Sequence, residues 1–244
     1  MKSSLIILLG LGAVALAQRP GWNFRGGFSG LFQNKVVTNA PYSGVGVTTS
    51  KRTLSDGNTI NESSCVKVYR DSSGRTRREE TRNSATCGAT PQTIFISDPV
   101  AGIDYVINPR SNTYRQFTIK TPAAGSTPPS SARPTSPNQV QTTLAPLTIP
   151  LVSGGTLTAD GTQTVTTVPA GRFGNAQPIT ITSTRYYSST LQVVIQSSRT
   201  DPRNGVTTYQ LSNISTAEPA ESLFQLPSGL TLEQGSSERG RRAP

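Results

Sequence analysis

Short runs in which apolar and polar residues alternate, separated by turn residues, recur from Val36 almost to the C-terminus. A period of two puts successive side chains on opposite faces of a strand, so the pattern predicts antiparallel strands joined by hairpins. Val45 and Val47 share a face of the first run, and SDGN at 55–58 turns the chain. TINESSCVKVYR and RTRREETRN flank the turn DSSG, and each is long enough for a strand. QTIFISDPVAGIDYVINPRSNTYRQFTIK reads as three more strands joined by DPVAG and NPRSN, with Ile103, Tyr105 and Ile107 on one face of the middle one.

The rhythm breaks after residue 120: seven prolines fall between 121 and 150, with Ser and Thr between them. Such a stretch is expected to leave a central sheet, and 121–155 reads as a linker or insertion between a first β region, 36–120, and a second, 156–232. In the second region Ile179 and Ile181 alternate with threonines, and Leu191, Val193 and Ile195 share a face. DPRNG turns the chain into VTTYQLSNIS, and PAESLFQLP supplies a short helical turn or closing segment. The polar tail, 233–244, is expected to be disordered.

The first 17 residues differ from everything after them. Lys2 precedes an apolar run from Leu5 to Leu16, and Ala15-Leu16-Ala17 is a small-x-small cleavage pattern. These features predict a secretory signal peptide cut after Ala17 and an exported protein, periplasmic or extracellular. The apolar run is too short to span a bilayer, and no later segment is apolar enough to do so. An arm at 18–35 follows, in which Trp22, Phe24, Phe28 and Phe32 are spaced by glycines and polar residues. Its glycine density argues against a helix.

Charged residues make up 15% of the chain and the net charge is +10. The basic excess is local: residues 18–120 hold 14 Lys and Arg against 7 Asp and Glu, and residues 150–232 hold 4 against 4. Outside the cytoplasm a basic surface suits anionic lipid, acidic polysaccharide or an acidic protein, and no motif points to nucleic acid. Cys65 and Cys87, an even pair in an oxidising compartment, are expected to form a disulfide.

Histidine is absent, which excludes Ser-His and Cys-His nucleophiles and His-based metal sites. No cofactor and no metal site is expected. A glycosidase needs two facing carboxylates. Glu79 and Glu80 are adjacent and point apart on a strand, whereas Asp98 with Asp104 stays open as a pair, although Asp98 precedes a proline where Asp commonly caps a turn. Arg75, Arg77, Arg78 and Arg82, with Lys67 and Arg70 on the neighbouring strand, form either a cationic patch or, with Glu79 and Glu80, a cross-strand charge network.

Two stretches, APYSGVGVTTSKRTLSDGNTINESSCVKVYRDSSGRTRREE with IFISDPVAGIDYVINP, and VPAGRFGNAQPITITSTRYYSSTLQVVIQSSRTDPRNGVTTYQLSNI with EPAESLFQLP, resemble a family of exported bacterial proteins of unknown function. The closing order of strand, DPRNG turn, TTYQLSNI strand and LFQLP is similar to the LolA-like superfamily of outer-membrane lipoprotein carriers and sensors. That resemblance implies a strongly curved, incomplete antiparallel barrel, with the Pro-rich stretch where such proteins insert lid helices.

The sequence therefore predicts a mainly β, non-enzymatic exported protein that binds an apolar ligand, a lipoprotein or an envelope partner on the concave side of its sheet. Candidate lining positions are Ile103, Tyr105, Ile107, Ile179, Ile181, Leu191 and Val193, for each of which plain core packing is the competing reading. A structural or adhesive envelope protein is the second possibility, and a carboxylate hydrolase the third.

Overall fold

The computed structural model describes residues 36–119 and 138–233. The signal peptide, the aromatic arm, the linker as far as residue 137 and the tail from residue 234 lie outside the described residues. Twelve strands form one sheet: β1 (Tyr42–Thr53), β2 (Thr59–Arg70), β3 (Thr76–Arg82), β4 (Thr93–Asp98), β5 (Ile103–Asn108), β6 (Thr113–Thr118), β7 (Gln139–Pro150), β8 (Thr156–Val168), β9 (Ile179–Ser188), β10 (Val193–Asp201), β11 (Gly205–Ser215) and β12 (Thr231–Leu232). Their order is β12-β6-β5-β4-β3-β2-β1-β11-β10-β9-β8-β7. The sheet is therefore open, with β7 at one edge and the β6/β12 pair at the other. All neighbours are antiparallel except β12, which joins β6 in parallel.

Each group of strands is a run of hairpins, as the alternation predicts. The groups are not separate, because β1 pairs with β2 on one side and β11 on the other. The linker assigned to 121–155 is too long: residues 139–150 are β7. Proline removes a ladder donor and is tolerated at edges and bulges. Here Pro146 falls inside the register shift between Leu144 and Leu147, and Pro150 ends an edge strand. Glu233, assigned to the tail, is also ordered: its N–H donates to the Tyr114 carbonyl and its carboxylate pairs with Arg115 at 3.4 Å.

The larger core takes Tyr42 from β1, Val66 and Val68 from β2, Leu157 and Ala159 from β8, Val193 to Ile195 from β10, and Tyr209, Leu211 and Ile214 from β11. β2 and β8 stand five places apart in the sheet, so the sheet must wrap round this cluster for both to reach it. We call the face of β1 and β2 that carries Tyr42, Val66 and Val68 the inner face. Arg70 holds the bend. Its Nε and Nη2 donate to the Ala40 carbonyl at 2.9 and 2.7 Å, Nη2 also reaches the Leu191 carbonyl, and the guanidinium lies 4.7 Å from the Tyr42 ring centre. Burial pushes its pKa below the ordinary arginine value.

A second core, of Ile94, Ile96 and Ile107 with Tyr105, Tyr114, Leu226 and Leu230 against it, lies on the other side of the sheet. The register proves the opposition: Val66 pairs with Glu80, Glu80 with Thr93, and Ile94 is the next residue along β4. This outer core is covered by the C-terminal segment. A short 3-10 helix, Glu221–Phe224, is anchored by Arg75 to Glu221 at 3.3 Å and by Arg77 Nη1 donating to the Leu223 carbonyl at 3.1 Å, and buried Phe224 packs under the Arg75 guanidinium.

Cys65 and Cys87 are joined in a disulfide with their Cα atoms 5.4 Å apart, tying the β3–β4 loop to the middle of β2. At the β10–β11 turn, buried Asp201 accepts from the Arg203 backbone N–H at 3.0 Å, from Arg203 Nε and Nη2 at 3.0 and 2.8 Å, and from Asn204 at 3.2 Å. The Arg203 hydrogen bonds bring the Asp201 carboxyl down to about 2. Its folded pKa lies below the unfolded one, near 4, so its stabilisation is complete above pH 4 and is lost as pH falls from about 4 towards 2. Acid unfolding of the wild type should lose on the order of 2 kcal/mol across that window, and Asp201→Asn should flatten this part of the profile. Parallel wild-type and variant profiles would show that the turn does not titrate as described.

Candidate functional site

The sequence-predicted lining residues do not meet on one surface. Tyr105 and Ile107 belong to the outer core, and half-buried Ile103 shares their face of β5. Leu191 and Val193 belong to the inner core. Ile181 is buried but sits in neither cluster, and Ile179 is half-buried at the start of β9. Four of the seven, Tyr105, Ile107, Leu191 and Val193, thus pack within the two cores.

The basic residues are divided in the same way. Arg70, Arg78 and Arg82 point to the inner face, Lys67 and Arg77 to the outer, and Arg75 lies in the β2–β3 turn. Four of them face carboxylates: Arg75 binds Asp71, Arg77 binds Glu79 at 2.7 Å, Arg78 binds Glu80 at 2.9 Å, and Arg82 approaches Glu80 at 3.9 Å. They form the cross-strand network, not a single cationic patch. The carboxylate pair left open also dissolves: Asp98 Oδ1 accepts from the backbone N–H groups of Val100 and Ala101 at 2.9 Å each. Asp104 pairs with Ser97, the neighbour of Asp98, and so points to the opposite face.

The best-formed surface was not among these residues. On the inner face, successive registers place Arg78, Phe95, Val106 and Arg115 in one row across β3 to β6, beside a row of Thr76, Ser97, Asp104 and Phe117. The described segment that covers β3 to β6, the short helix with residues 226–232, packs on the outer face, against Ile94, Ile96 and Ile107. Exposure rises along the row towards the β6 edge, from 14% for the Arg78 side chain to 57% for Arg115, with Phe117 at 49%. The Arg78 guanidinium lies 4.2 Å from the Phe95 ring centre, and its desolvation there pulls its pKa below the usual value, against the opposing attraction of Glu80.

Phe95, Val106 and Phe117 thus form an apolar stripe flanked by two guanidiniums, and beside it Asp104 Oδ1 is buried with no hydrogen-bond partner among the described residues. An apolar run with a few charged groups at its border is the composition of a site for an extended apolar segment. The arrangement supplies neither a nucleophile with its base nor facing carboxylates, and among the described residues no three His, Cys, Asp or Glu side chains group as metal ligands. The sequence signal for the stripe was the order Arg115-Gln116-Phe117 on β6, in the opposite phase to the more apolar Ile103-Tyr105-Ile107.

No family model and no curated protein matches the chain. Among solved structures it is similar to the crystal structure of MucB in complex with MucA(peri), at 11% identity over 80% of this chain and a TM-score of 0.42. It spans 57% of that matched chain. It is also similar to a LolA superfamily protein from Nitrosomonas europaea, at 9% identity over 78% of this chain and 92% of the other, with a TM-score of 0.32. A DUF1329 family protein from Desulfovibrio piger matches at 10% identity over 79% and 92%, with a TM-score of 0.30. LolA-like structures, which the closing turn and strand resemble in sequence, therefore stand among its structural matches, and the chain itself is a mainly β protein built on one open, wrapped antiparallel sheet.

Proposed function

We propose that this chain is a non-enzymatic exported protein, mature from Gln18, that binds the acyl chain of a lipid or lipoprotein along the inner face of β4 to β6. The observation that carries the reading is the stripe of Phe95, Val106 and Phe117 bordered by Arg78 and Arg115, on the face opposite the one that Leu226 and Leu230 cover, with Glu233 reaching only its Arg115 end. Acyl contact along the stripe uses the hydrophobic effect, at about 25 cal/mol per Å² of apolar surface removed from water. Arg115, more than half exposed at the rim, pairs with Glu233 at 3.4 Å through Nε, and the rest of its guanidinium faces an anionic head group in this reading.

The test is native mass spectrometry of the mature protein purified from an envelope fraction, together with titration of a fluorescent fatty acid. A retained lipid and saturable probe binding are expected, and Phe117→Asp should weaken the probe about tenfold by putting a charge on the apolar stripe. Because Phe117 is half exposed, the melting temperature should hold. Equal binding by wild type and variant would remove the stripe from consideration.

A structural role has one observation of its own. Successive registers place Ser63, Thr49, Thr208, Ser198, Thr184, Gln163 and Thr142 in one row across seven neighbouring strands from β2 to β7. Thr49 and Thr208 are hydrogen-bonded through their hydroxyls at 2.7 Å. An uncharged row of six hydroxyls and one carboxamide suits lateral contact with a polar surface.

A further inference from the structure

From the free edge of the sheet we infer that the protein forms a two-fold dimer by pairing β7 with β7 of a second copy. β7 closes the strand order, so one side of its backbone has no strand partner among the described residues. Open edges are normally blunted by lysine, by an inward-pointing charge, by proline or by a bulge. Residues 139–144, QVQTTL, contain none of these. The blunting devices begin immediately afterwards, with Ala145 and Pro146 inside the β-bulge. The edge is thus left open over six residues, 139–144, and closed beyond them.

That stretch is complementary to itself. In an antiparallel pair centred on Thr142, Val140 faces Leu144 of the second copy, Gln141 faces Thr143, and Thr142 faces its own copy. A two-fold contact requires this kind of self-matching. Val140 is 65% exposed in the single chain, and opposite Leu144 it gains an apolar cross-strand neighbour.

Charge favours the same edge. The chain carries +10, which opposes association of two copies, but β7 has no charged residue, β8 has only Asp160 and β9 only Arg185. The contact joins the electrically quiet strands, while the excess of Lys and Arg lies on the N-terminal strands. It also makes the uncharged polar row continuous, because that row ends at Thr142, the residue on the two-fold axis.

The experiment is sedimentation of the mature chain through the micromolar range, with single cysteines introduced at the edge. A mass that doubles with concentration is expected. Thr142→Cys should cross-link to itself, and Gln141→Cys should cross-link when mixed with Thr143→Cys. Thr148→Cys, beyond the bulge, should not cross-link. Val140→Lys should return the protein to a monomer at unchanged melting temperature. A monomeric mass throughout, equal cross-linking at Thr142→Cys and Thr148→Cys, or a Val140→Lys protein that still dimerises would each overturn the inference.

Discussion

Gly205→Ala should lower the melting temperature by on the order of 10 °C, the expected result of about 3 kcal/mol lost from a chain of this size. Gly205 opens β11 with φ +84, and a Cβ there would stand 2.1 Å from the Lys51 carbonyl oxygen and 2.9 Å from Arg52 Cα. The left-handed conformation alone costs an alanine about 1 kcal/mol or a little more. The remainder comes from overpacking, because β1 is held between β2 and β11 and cannot move away from one without leaving the other. Gly57→Ala is the control: its φ is +85, yet a Cβ meets nothing within 4 Å, so only the conformational cost applies. Thermal melts of both variants test the argument, and similar losses would mean that the approach of Gly205 to β1 is not what matters.

Removing the disulfide should cost about as much. The bridge closes a loop with a sequence separation of 22, for which loop-closure entropy gives about 3 kcal/mol. Cys65 is 1% exposed, so Cys65→Ala with Cys87→Ala leaves little new polar surface in the fold. The β3–β4 loop should stay close to its place in the reduced protein, because Gln92 still bridges to the backbone of Arg82 and the Ser84 N–H still donates to the Ser63 carbonyl. Urea unfolding of the wild type with and without reductant, beside the double variant, measures the effect. If all three curves overlay, the bridge contributes nothing to global stability and acts only on the loop.

The strands were legible because each carries its own alternation, as in the Val66 and Val68 pair or Ile94 and Ile96, and because the turns between them hold Asp, Asn, Gly and Pro. β7 was not, since local chemistry counts prolines and cannot know that a strand will lie at an edge with a bulge where Pro146 falls. The choice of face failed for a different reason. Ile103, Tyr105 and Ile107 outweigh Asp104 and Val106 in apolar character, and that is why the C-terminal segment, carrying Leu226 and Leu230, covers them. Alternation identifies which residues share a face, while the identity of the covering element depends on residues more than a hundred positions away. The paired arginines follow the same rule: Arg77 with Glu79 and Arg78 with Glu80 are neighbours in sequence, yet their placement on opposite faces came only with the register of β3.

The position of β1 between β2 and β11 sets a timetable for folding. Val45 accepts a hydrogen bond from Ser212, 167 residues later, so a chain made from its N-terminus presents β1 with one side unpaired until nearly all of it has emerged. In that interval Tyr42 and the valines of β2 wait for Leu211 and Ile214, and contacts of such separation form slowly. A growing or translocating chain is thus exposed to wrong pairing at its first strand for most of its synthesis, and a holding factor that masks β1 would act early and let go only when β11 arrives.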